Sequence, residues 1–345
     1  MTLKYDRALG EKFLGLIAGH EVLRRFLAAP GVLSVNHHPR VTLDTQLRRG
    51  NIVSIYAGLT KVLELKYLSD DRLEAKADAS YMDQEPATRL GVYGTFRASE
   101  IEAKVLKWDV FLGAIKVKER QWHKEGGWQS WLARLATLGQ PLPWIAVDRE
   151  AELEELTGDD KVWLKEVQQR ISSEATEDPA LRRRKRRLEK ARGGGVDFIG
   201  VTPDGDLALM EAKHGSDEQG VYGTPIQVGG YAALWTRALQ APGERANLVR
   251  NINRLIDQKR GLGLIPAQTP DLKDEPRVEP FVFIGDPKFT SQVWRGQRLL
   301  GRVLSAATKV CEPAQSLRFF TAESARFDLR EVTAELREGR DVVAR

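Results

Sequence analysis

The 345-residue chain carries 53 Lys and Arg against 48 Asp and Glu, for a formal net charge of +5 and a pI near 9.2, a balance that permits a polyanionic partner without specifying one. A single cysteine, Cys311, excludes an intrachain disulfide, and with only five histidines it also excludes a zinc finger or ribbon. No apolar run approaches the roughly 20 residues of a membrane span, and the first residues, MTLKYDRALGEKF, lack a signal-peptide core, so a cytoplasmic protein without a membrane partner is expected, long enough for two domains.

Residues 4–28 place Phe13, Leu16, Ile17, Val22, Leu23, Phe26 and Leu27 near helical spacing and are expected as one helix, stopped by Pro30-Gly31. His37-His38 follow on extended chain, where neighbouring side chains point to opposite faces and make a poor metal pair. Strands are then expected at 41–47, 52–56, 61–67, 73–79, 91–96, 102–108 and 115–120, forming an antiparallel sheet or small barrel. Such a module serves either nucleic-acid reading or assembly, including homo-oligomers or a partner protein. Residues 121–138 contain Trp122, Trp128 and Trp131 and a short helix at 127–138, and the tryptophans read first as packing, second as stacking platforms for bases. Gly139-Gln140-Pro141-Leu142-Pro143 reads as a linker. The expected division is therefore a β-rich domain with an N-terminal helix over 1–140 and a second domain over 141–345.

In the second half, 144–147 is a short strand candidate. Residues 159–173 read as a helix with a stripe of Val162, Trp163, Val167 and Ile171 and with Asp159 as its cap. Asp178-Pro179 starts another helix. The run that follows, LRRRKRRLEKAR, holds eight basic residues and one acidic residue. Like charges three or four apart oppose a helix there, and phosphates on Arg182, Arg183, Arg184, Lys185, Arg186 and Arg187 would relieve the repulsion. The alternative is a solvated linker.

Residues 196–202 and 207–213 read as two strands joined by Pro203-Asp204-Gly205, a three-residue hairpin loop with turn chemistry at each position. In that register Asp197 lies opposite Glu211, and Lys213 shares the face of Glu211, with Leu207 and Leu209 in the same row. Two adjacent carboxylates repel unless a cation intervenes, and Mg²⁺ is typically held by one or two carboxylates plus phosphate oxygens. The plain alternative is a surface hairpin with a cross-strand Lys–carboxylate cluster. Residues 214–224 are glycine-rich and expected as a mobile loop. Residues 225–239 form a helix with Gln227 and Tyr231 one turn apart on one face. Residues 244–259 form an amphipathic helix with Arg245, Arg250, Arg254 and Lys259 on its basic face, 281–284 a buried central strand, 295–309 a helix, 317–321 a strand, and 327–337 a C-terminal helix or mixed tail.

Asp197, a short hairpin, then Glu211-Ala212-Lys213, followed by a helix with Gln227 and Tyr231, resembles the signature of the PD-(D/E)xK nuclease superfamily over about residues 196–235, with 281–284 as a later core strand. The resemblance implies an α/β restriction-endonuclease-like domain with a central mixed sheet, behind an α+β, β-rich domain. It implies Mg²⁺- or Mn²⁺-dependent cleavage of phosphodiester bonds, in DNA before RNA. Asp197, Glu211 and the carbonyl of Ala212 would ligate metal, with Glu166 as a further ligand from an upstream helix and Glu189 as its rival. Lys213 would position or activate water, Gln227 would bind phosphate or a metal-bound water, and Tyr231 would face nucleic acid. The sequence departs from the pattern in two places: no first meander strand is evident before Val196, and no proline precedes Asp197. Two other readings stay open, a nucleic-acid-binding protein that keeps the fold without turnover, and an assembly component.

Overall fold

The structure, a computed structural model, describes residues 5–29, 43–77, 93–114, 124–138, 142–151, 153, 157–191, 195–296, 298–326 and 328–343. Within these the chain forms two compact units, one of Met1–Tyr5, Arg149–Val249 and Leu272–Arg345, the other of Asp6–Asp148 and Arg250–Asp271. His37, His38, Trp122, the expected strand at 115–120 and Gly139–Pro141 of the expected linker lie outside the described residues.

The second unit opens with α1 (Glu11–Gly19) and α2 (Glu21–Ala28). The single helix expected here is broken at His20, which is extended at φ −115° and ψ 94° directly after Gly19. Five strands follow, β1 (Leu43–Arg48), β2 (Ile52–Ala57), β3 (Thr60–Ser69), β4 (Arg72–Ala77) and β5 (Tyr93–Arg97), in one sequential antiparallel sheet rather than a barrel. The expected strand at 102–108 is instead part of α3 (Ile101–Ala114). Its buried Ile101, Val105, Trp108 and Leu112 recur at steps of four and three, which is the helical period. In α4 (Glu125–Arg134), Trp128 and Trp131 are buried and meet edge to face at 5.3 Å, so they pack rather than offer stacking surfaces.

The other unit is built on β6 (Ile145–Ala151), which the sequence suggested only as a short strand. Then come α5 (Gly158–Glu177), the short α6 (Pro179–Arg182) and α7 (Lys185–Leu188), and the hairpin of β7 (Val196–Val201) and β8 (Leu207–His214). After it run α8 (Glu218–Gln240), α9 (Pro242–Gly261), whose residues from Arg250 onward belong to the second unit, then β9 (Val278–Gly285), α10 (Leu299–Val310), β10 (Arg318–Ala322), β11 (Arg330–Glu331) and α11 (Thr333–Arg337). The six strands lie in sequential order in a mixed sheet: β7 and β8 are antiparallel, β8, β9 and β10 parallel, β10 and β11 antiparallel. Helices α5, α8 and α10 cover one face, where Val282, Ile284 and Phe319 meet Ile171, Ile226, Leu300 and Val303 in a common core.

Four local expectations change over residues 157–261. Thr157, not Asp159, caps α5, in a reciprocal capping box with Asp160. The basic run is not one helix but the two short pieces α6 and α7, each pinned by a buried leucine, Leu181 and Leu188. The expected mobile loop at 214–224 is largely the first two turns of α8, capped by Asp217, whose side chain accepts from Gly220 N. Its glycines serve close approach: a Cβ on Gly223 would stand 2.7 Å from Ala191 Cβ. On α9 the expected basic face is already engaged, because Lys259 is buried with its ammonium on Gln46 Oε1 at 2.7 Å, Arg254 bonds Leu9 O at 3.0 Å and Arg245 pairs with Glu275 at 2.9 Å.

Candidate active site

The hairpin turn is made as its residues dictate. Gly205 takes φ +79°, Gly205 N donates to Thr202 O, and Thr202 N donates to Asp206 O. Strand pairs run Val201↔Leu207, Gly200↔Ala208, Ile199↔Leu209 and Phe198↔Met210. One further step brings Asp197 to the level of Glu211, and Asp197 Oδ2 accepts a hydrogen bond from Ala212 N at 2.8 Å. The segment after α9 holds the turn from outside, with Lys273 Nζ 2.7 Å from Asp206 Oδ1 and Arg277 N bonded to the same oxygen.

Side chains alternate along β8, so Leu207, Leu209, Glu211 and Lys213 share a face. In the parallel pairing Glu211 stands beside Val282 and Lys213 beside Ile284, which places them on the face covered by α8. Glu211 is 1% exposed. The Lys213 ammonium donates to Glu211 Oε1 at 2.7 Å and to Ala212 O at 3.1 Å. A carboxylate oxygen and a main-chain carbonyl therefore converge on one cationic position, and Asp197 grips the adjacent peptide. Burial of the carboxylate is costly alone, and the neighbouring ammonium offsets much of that cost.

This donor set suits a hard divalent ion: two carboxylates and a carbonyl supply oxygen ligands, and the ammonium is an internal stand-in for the charge such an ion would bring. Among the described residues, no group of three or more His, Cys, Asp or Glu side chains is placed to hold a metal.

Gln227 does come to this region. With Lys190, Ala191, Asp217, Gln219 and Gly220 it lines a cavity of about 310 Å³. That cavity adjoins Lys213, because a Cβ on Gly220 would lie 3.2 Å from Lys213 Cδ and 2.2 Å from Asp217 Oδ2. The residues 187–191 run alongside the first turns of α8, with Gln219 Nε2 donating to Arg187 O at 3.5 Å. Asp217, Gln219 and Lys190 were not singled out from sequence. The order Asp217-Glu218-Gln219 is an N-cap signal that could have marked the start of α8 and drawn attention to this carboxylate.

Glu166 and Tyr231 are not brought to the pair of acids. Trp163 lies under the Arg237 guanidinium at 4.9 Å, Gln168 fills the space at Gly230, and Ile171 reaches Gly229. Glu166, exposed and between Trp163 and Gln168, is thus level with the part of α8 beyond Gln227, away from Gly220. Glu189 lies on the segment that borders the cavity and is the nearer of the two glutamates by chain position. Tyr231 is 2% exposed and belongs to the core, so it offers no surface to a polymer.

In the basic run, Arg182, Arg183, Lys185, Arg186 and Arg187 are exposed. Arg184 is half-buried and committed, donating to Ala180 O at 2.9 Å and to Gln292 Oε1 at 2.8 Å. Burial pushes the Tyr222 phenol up against the opposing pull of the Arg187 guanidinium. Cys311 is buried against Gly229 O, and burial pushes its thiol up, which removes it as a nucleophile. His214 takes Ser216 N and Ser216 Oγ on Nδ1, and its Nε2 stands 3.6 Å from Asp286 Oδ2 at the ends of β8 and β9.

Comparison with protein-family models, with curated proteins and with solved structures finds no match for this chain.

Proposed function

We propose that the protein is a metal-dependent nuclease of restriction-endonuclease-like fold, hydrolysing phosphodiester bonds in nucleic acid, DNA before RNA. The observation that carries this reading is the convergence of Glu211 Oε1 and Ala212 O on one cation position, with Asp197 bonded to the same peptide. The order of elements supports it: β6, β7 and β8 are neighbours, helix α8 follows, and β9 returns parallel to β8. The helices between β6 and β7 are this chain's departure from the simplest form of that core.

Asp197, Glu211 and the Ala212 carbonyl would hold Mg²⁺ or Mn²⁺. When bound, such an ion neutralises phosphate charge and lowers the pKa of a coordinated water. Lys213 stays within reach of the same oxygens and donates hydrogen bonds to a phosphate oxygen or to the attacking water. Gln227, one face of α8 away, contributes an amide to substrate. The exposed cations of 182–187 hold the polyanion along the approach.

Purified protein incubated with single- and double-stranded DNA and RNA is expected to cut at least one substrate with Mg²⁺ or Mn²⁺ and none in EDTA. Asp197→Ala and Lys213→Ala are each expected to lower the rate by on the order of 10²-fold or more. Absence of cutting on every substrate with either ion removes the catalytic reading. A second reading is favoured by the ion pair of Lys213 with Glu211 Oε1: a binding protein whose buried acid is already answered by an internal cation. Salt-sensitive nucleic-acid binding with no metal-dependent cleavage selects it.

A further inference from the structure

The cavity beside Lys213 has a chemistry of its own. Its volume, about 310 Å³, lies at the small end of the range for small-molecule pockets. Four of its six lining residues are polar or charged, Lys190, Asp217, Gln219 and Gln227, and the other two, Ala191 and Gly220, project little into it. Asp217 Oδ1 is committed to Gly220 N at 2.9 Å, so Oδ2 remains as an acceptor. Gln219 donates one amide N–H to Arg187 O, which leaves its second N–H and its carbonyl oxygen, and the Gln227 side chain forms no hydrogen bond to another described residue. One ammonium and one carboxylate share the space. A bare phosphate would meet the lysine and be repelled by the aspartate. A ligand with an anion at one end and hydrogen-bond donors at the other satisfies both.

We propose that this cavity binds a single nucleotide unit, its phosphate on Lys190 and a sugar hydroxyl or base N–H donating to Asp217. The glutamines complete the polar contacts. Gly220 is the residue that makes the site possible, since any Cβ there would strike the Asp217 carboxylate and crowd the stem of Lys213. The inference deepens the nuclease reading and rests on it in one respect, that the bound unit flanks the phosphate to be cut.

The test uses the full chain in EDTA, titrated with AMP, dAMP, CMP, dCMP and inorganic phosphate and followed by calorimetry or NMR shifts. At least one nucleotide is expected to bind with Kd on the order of 0.1–1 mM, and inorganic phosphate at least about tenfold more weakly. Lys190→Ala and Asp217→Asn should each weaken nucleotide binding by roughly tenfold, the asparagine preserving the helix cap. Lys309→Ala, an exposed residue of α10 paired with Glu174, should leave it unchanged. A preference for ribonucleotides assigns the donor to the 2′-hydroxyl, and equal binding assigns it to the base or the 3′-hydroxyl; both support the site. No nucleotide binding, phosphate binding as tight as nucleotide, or indifference to both variants overturns it. Because no metal or turnover enters the measurement, nucleotide binding by a protein that cuts nothing keeps the site and loses the nuclease, and cleavage without nucleotide binding does the reverse.

Discussion

At residue scale the ammonium of Lys213 and a divalent ion compete for the same oxygens. Glu211 is almost wholly buried, and Lys213 is the cation that answers it. Removing one partner of a buried pair typically costs about 3–5 kcal/mol, and the 13% exposure of the lysine side chain lets water reduce this to about 2–3 kcal/mol. Lys213→Met is therefore expected to lower stability by that amount in EDTA, measured by urea unfolding. Mn²⁺ at millimolar concentration should then raise the melting temperature of Lys213→Met more than that of the unaltered protein, since an ion that binds only the folded state stabilises it and in the variant displaces nothing. Equal shifts in the two proteins would mean that ion and ammonium do not share a position.

At the scale of elements, α8 joins the two acids to the cavity while carrying a proline in its eighth position. Pro225 has no N–H to give Val221 O, a loss that ordinarily kinks or breaks a helix. The Thr224 hydroxyl donates to that carbonyl at 2.8 Å, and Thr224 is fully buried. Thr224→Val keeps shape and removes only the donor, so unfolding should show a loss of about 1–3 kcal/mol, the cost of a buried carbonyl left unsatisfied. No change would mean that the helix bends to recover the bond elsewhere. The same helix shows where sequence reading works. The hairpin before it was legible because Pro203-Asp204-Gly205 encodes the turn and the flanking strands alternate, both local facts. The first turns of α8 were not, because Gly220 and Gly223 look like loop residues until Lys213 and Ala191 are seen pressed against them. Helix membership alone points to Glu166, and it cannot say which level of α8 a residue of α5 will meet.

For the whole molecule, the net charge of +5 says less than where unpaired cations sit. Many arginines are spent internally: Arg184 on Gln292, Arg245 on Glu275, Arg302 on Asp178, Arg318 on Glu331. Breaking of the expected single helix into α6 and α7 buries Leu181 and Leu188 and turns Arg182, Arg183, Lys185, Arg186 and Arg187 to solvent in one short stretch. This stretch leads into Lys190 at the cavity, so a strand bound there runs toward the acids. Each phosphate neutralised releases counterions, and the logarithm of affinity falls with the logarithm of salt by about 0.9 per contact on duplex and about 0.7 on single strands. Replacing the five exposed residues with glutamine should make that slope shallower by about 3–5 in polynucleotide binding measured across a salt series. The nucleotide affinity of the cavity, which relies on Lys190, should stay constant. A slope that does not move would make the run a solvated connection and shift the polyanion path to another face.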